Sequence, residues 1–67
     1  MKYTVIIESN SSYPREYESN SRNVLSLANE YGRAEYGETV TVTTHTGKVL
    51  SRAFWDMSSR RYIRASV

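Results

Sequence analysis

Cysteine is absent from these 67 residues, histidine and proline occur once each, and glycine occurs three times. Each shortage closes off a class of protein. Without cysteine there is no disulfide staple and no thiolate zinc site, which fits a reducing compartment. His45 alone leaves too few soft donors for a transition-metal centre. The three glycines are isolated, so no glycine-rich phosphate loop exists. No apolar run reaches the roughly 18 residues that read as a membrane span. The first residues read directly as strand, with no signal-peptide pattern, so the expected location is cytoplasmic. The length suits one domain over residues 1–67, with a core so small that good packing or a partner must stabilise it.

What is present is a split of charge. From Lys48 to Val67 there are five basic residues and one acid, a net +4. Residues 1–47 carry four basic residues and six glutamates, a net −2. The basic part also holds Phe54, Trp55 and Tyr62. Arginines interleaved with aromatic rings suit phosphate, bases or an acidic protein surface. The six tyrosines include types favoured in recognition, although half-buried sheet positions account for most of them.

The pattern predicts an α+β domain: one helix on a four- to five-stranded, mostly antiparallel sheet, in the order β-β-α-β-β with a short fifth strand. Lys2 to Glu8 is β-branched and aromatic, with Tyr3, Val5 and Ile7 on one side. A turn cluster, Ser9 to Ser12, leads to a polar strand at Tyr13–Glu18, where Pro14 suggests a sheet edge. Ser19, Asn20 and Ser21 are expected to cap a helix of three to four turns, on which Val24, Leu27, Ala28 and Tyr31 make one stripe. Gly37 is its expected stop. Glu38–Thr44 alternates valine with threonine, His45-Thr46-Gly47 is a turn, and Lys48–Met57 returns as a strand. Ser58-Ser59 breaks it before a fifth strand at Tyr62–Val67.

Phe54 and Trp55 are neighbours and must face opposite ways in a regular strand. Charged Arg52 and Asp56 are costly to bury unpaired. These two facts place Val49, Ala53 and Trp55 under the helix, and Leu50, Arg52 and Phe54 on the open face. A turn of two or four residues supports that register. A three-residue loop ending on Gly47 reverses it and buries Leu50 and Phe54. On the last strand Ile63, Ala65 and Val67 are expected inward, with Tyr62 and Arg64 outward. The expected contact surface is therefore Arg52, Phe54, Tyr62 and Arg64, with Arg60 and Arg61 in the loop beside them.

No catalytic or metal-binding constellation accompanies this surface, and no cofactor is expected. His45 reads as a solvated turn residue, since no positioned carboxylate or nucleophile accompanies it. Glu16, Glu18, Glu30, Glu35 and Glu38 read as solvated acids, some pairing with Arg22 or Arg33.

Three stretches carry a resemblance: Ala28-Asn29-Glu30-Tyr31-Gly32-Arg33, Gly47-Lys48-Val49-Leu50-Ser51-Arg52 and Arg61-Tyr62-Ile63-Arg64. Through them the C-terminal two-thirds of the chain resembles small single-domain proteins carried by phages and mobile elements of Gram-positive bacteria, some of which are anti-CRISPR inhibitors. The resemblance implies a non-enzymatic protein of the bacterial host cytoplasm that binds a CRISPR effector complex and blocks DNA or guide engagement. It transfers no site residue. Together with the basic-aromatic face, it makes a protein partner the leading expectation. The alternative is a nucleic-acid-binding module using the same face, and the edge strand is a further route to a homodimer.

Overall fold

The computed structural model describes residues 2–9, 13–32 and 37–65. Strands β1 (Tyr3–Glu8), β2 (Arg15–Ser19), β3 (Thr39–Thr44), β4 (Val49–Asp56) and β5 (Arg61–Ala65) form one antiparallel sheet in the order β2-β1-β3-β4-β5. The helix α1 (Val24–Tyr31) crosses from β2 to β3 and packs over β3, β4 and β5. The α+β architecture expected from the sequence is therefore present, with β2 at an edge. The turn cluster at residues 10–12, Arg33, Glu35 and Val67 lie outside the described residues.

Alternation decides the two faces. Val5 and Ile7 stand opposite Val42 and Val40, and Val40 stands opposite Ala53. These five residues, with Val24, Leu27 and Ala28 from the helix and Tyr62 from β5, make the buried core. Burial of each larger apolar side chain stabilises the fold by about 1.5–3 kcal/mol. Tyr17 of β2 stacks on Tyr31 at the end of α1, with ring centroids 4.6 Å apart.

The helix spans its apolar stripe, eight residues or about two turns, and not the three to four turns expected. Asn23, and not the preceding serines, is its N-cap, accepting from the Ser26 amide at 3.3 Å. Ser19 and Ser21 hydroxyls instead accept from the Ser21 and Asn23 amides and order the lead-in. The helix ends at Gly32, whose amide donates to Ala28 O. A Cβ at Gly32 would fall 2.3 Å from Tyr62 Oη and 2.6 Å from Ala28 O, so the absence of a side chain lets Tyr62 slide beneath the helix end.

The hairpin between β3 and β4 combines both registers weighed for it. Near the turn Thr43 faces Val49, the Thr44 amide donates to Lys48 O, and Gly47 takes φ +96°. That is the three-residue loop. Leu50 is then an extra residue on β4, because the next pair is Val42 with Ser51. This bulge shifts the phase back. Leu50 packs against the core, while Val49 pairs on the open side. The expected positions of Leu50 and Val49 are thus exchanged, and those of Ala53, Phe54 and Trp55 are kept.

Candidate interaction surface

Among the described residues no element covers the second face of the sheet. Its rows follow from the ladder pairs. One runs Glu16, Ile6, Thr41, Arg52, Ala65; the next runs Glu8, Thr39, Phe54, Ile63; and Asp56 faces Arg61 beyond them. Phe54 is 38% exposed, a high value for a phenylalanine on a sheet, and Ile63 beside it is half-buried. Arg52 and Arg61 are exposed on either side of this apolar pair. Arg52 Nε donates to Thr41 Oγ1 at 3.2 Å, which holds the guanidinium across β3 and buries Thr41 under it.

Charge is graded across the face. Glu16 and Glu18 are exposed on β2 and Glu8 on β1, Ile6 and threonines fill the middle, and Arg52 and Arg61 stand on β4 and β5. At about 4.8 Å per strand spacing β2 and β5 are roughly 19 Å apart. That exceeds the screening length of about 8 Å at physiological salt, so Glu16 and Glu18 act on a partner separately from Arg61, while Glu8 and Asp56 lie nearer the arginines.

The turn between β4 and β5 supplies Arg60, which adopts φ +53° and donates its amide to Asp56 O at 2.8 Å. A left-handed backbone is uncommon for a side chain of this size. Asp56 organises the turn, its carboxylate accepting from the Ser59 hydroxyl and from the Ser58 amide. The Ser59 hydrogen bond, followed by the amides and nearby Arg61, holds the Asp56 carboxyl below its ordinary pKa.

Two expected contact residues lie elsewhere. Tyr62 is 6% exposed and sits under α1, edge-to-face with Trp55 at 5.2 Å between centroids. Arg64 stands opposite Ala53 and so belongs to the helix side. The reason is register. The four-residue turn pairs Arg61 with Asp56, and alternation then sends Arg61, Ile63 and Ala65 to the open face. The expectation that Ile63 and Ala65 point inward is reversed by the same step. Of the six expected residues, Arg52, Phe54 and Arg61 share the open face, Arg60 borders it, and Tyr62 and Arg64 do not contribute. Ile63 was missed, although counting four turn residues after Asp56 would have placed it.

On the helix side Arg15 of β2 pairs with Glu38, which is 1% exposed although the sequence suggested a solvated acid. Hydrogen bonding to Glu38 holds the Arg15 pKa above its ordinary value. His45 is exposed in its turn. Among the described residues no three His, Asp or Glu side chains converge as a metal site would require, and no helix is long and apolar enough to cross a membrane. Comparison with protein-family models, curated proteins and solved structures finds no match for this chain.

Proposed function

We propose that this chain is a small non-catalytic binding protein that occupies a surface of a larger protein partner through the open face of its sheet. The observation that carries the reading is the exposed Phe54–Ile63 pair flanked by Arg52 and Arg61. An aromatic anchor beside arginines is the composition of interface hot spots. Phe54 would anchor by burial, and the arginines would pair with carboxylates on the partner. The resemblance to mobile-element proteins points to the partner class: a host defence nucleoprotein, in which this chain blocks a CRISPR effector.

With Tyr62 withdrawn into the core, the face offers one exposed ring and not two. That weakens the nucleic-acid reading, in which successive bases stack on successive rings. Its acidic β2 edge also repels phosphate.

The test is inhibition of target-DNA cleavage by purified effector–guide complexes from Gram-positive hosts. The wild-type chain should inhibit a susceptible complex. Phe54→Ala and Arg61→Glu should each weaken inhibition by about tenfold or more, with little change in melting temperature. Inhibition that survives both changes would remove the open face from the reading. Binding to random oligonucleotides that collapses with salt, without effector inhibition, would favour the nucleic-acid module.

A further inference from the structure

We propose that the cleft at the N-terminal end of α1, on the side of the sheet away from the candidate interaction surface, binds a phosphate group. The cleft holds about 440 Å³ and is lined by Ser21, Arg22, Asn23, Leu50, Ser51 and Arg64. This volume lies in the range of small-molecule sites. Three separate parts of the chain meet there, and two of the register effects described above create it. The bulge turns Leu50 to the helix side, and the phase of β5 brings Arg64 to the same side.

Two arginines thus line one cleft, and among the described residues that line it there is no carboxylate. Among the described residues neither Arg22 nor Arg64 forms an ion pair or a side-chain hydrogen bond. Bringing like charges together without an intervening acid is unfavourable, and an anion between them reverses the sign. Ser51 Oγ is buried and has no hydrogen-bond partner. A buried hydroxyl without a partner is rare in folded proteins, and a ligand oxygen in the cleft would supply one after a change of serine rotamer. The first turn of α1 adds a partial positive charge at the same end.

The donor set selects among anions. Two arginine forks plus serine and asparagine groups offer more donors than the two oxygens of a carboxylate can use. A phosphate presents three or four oxygens in a tetrahedron and matches bidentate guanidinium geometry. Leu50 gives one apolar wall, which an organic phosphate ester would use and a bare phosphate ion would not.

The test is titration of the intact chain with inorganic phosphate and, separately, with a nucleoside monophosphate. Binding is followed by calorimetry and by amide NMR shifts. Saturable shifts centred on Ser21–Asn23, Ser51 and Arg64 are expected from at least one probe. Arg22→Gln and Arg64→Gln should each weaken binding by about tenfold or more, with an otherwise unchanged spectrum. Arg52→Gln, on the opposite face, should bind as the wild type does. Tighter binding of the ester would assign an organic phosphate with Leu50 as its wall, and equal binding would assign the free anion. Shifts that never saturate, or that ignore Arg22→Gln and Arg64→Gln, would overturn the proposal. Either result leaves the open-face reading to its own test with Phe54 and Arg61.

Discussion

At Tyr62 a phenol ring fills the space under the end of α1, while its hydroxyl is buried without a hydrogen-bond partner. The ring is stabilising and the hydroxyl is not. Deleting an unsatisfied buried polar group removes a desolvation cost of about 1–3 kcal/mol. Tyr62→Phe should therefore hold or raise stability, by roughly 1 kcal/mol in a urea titration. A loss above that size would mean that the hydroxyl is satisfied in solution. The same residue sets a pH dependence. Burial, with a further contribution from nearby Glu38, raises the Tyr62 pKa above its ordinary value of 10.0. Below that value folded and unfolded chains both keep the proton, and the contribution is fully present. As pH rises further the unfolded chain loses its proton first, so stability falls towards the folded value. Tyr62→Phe should make the alkaline decline shallower than in the wild type.

The β4–β5 turn is the element that decides the composition of the open face. Its four residues, closed by the Arg60 amide on Asp56 O, fix which side of β5 faces solvent. Arg60 at φ +53° bears a strain of about 1–2 kcal/mol that glycine would avoid, partly offset by the flexibility that glycine adds to the unfolded chain. Arg60→Gly should raise the melting temperature by about 4–8 °C for each kcal/mol recovered. If Arg60 borders the contact surface as proposed, the same variant should bind the partner less well. A variant that is both less stable and fully active would contradict the turn geometry and the assignment together.

Over the whole molecule, the Arg15–Glu38 pair links the edge strand β2 to the start of β3, with β1 lying between those strands. Removing one member of a buried pair typically costs about 3–5 kcal/mol, because a charge stays behind in a poor environment. Arg15 keeps partial exposure, so the lower end of that range applies. A domain of 67 residues has roughly 3–10 kcal/mol in total. Arg15→Leu should therefore remove a large fraction of the stability and lower the urea midpoint by about a third or more. A small shift would mean that the other surroundings of Glu38 suffice for its charge. Glu38 read as a solvated acid in the sequence, since nothing local announces a partner 23 positions away.

Local chemistry by itself determined the element order, the two-sided alternation of β1 and β3, the helix stripe and the turn at Gly47, because periodicity and backbone freedom act over a few residues. The cost of burying charge also favoured Arg52 and Phe54 on the open face, although the three-residue loop alone would have reversed them and the bulge at Leu50 keeps them there. The tertiary structure alone decided the phase of β5 and the bulge at Leu50. A one-residue slip there exchanges every side chain between faces, and only packing against α1 chooses between the outcomes. Tyr62 won the place beneath the helix because Gly32 leaves room for its ring and Trp55 meets its edge. That choice sent Ile63 outward and drew Arg64 to the helix side, where it lines one cleft with Arg22, a residue 42 positions away that no local pattern links to it.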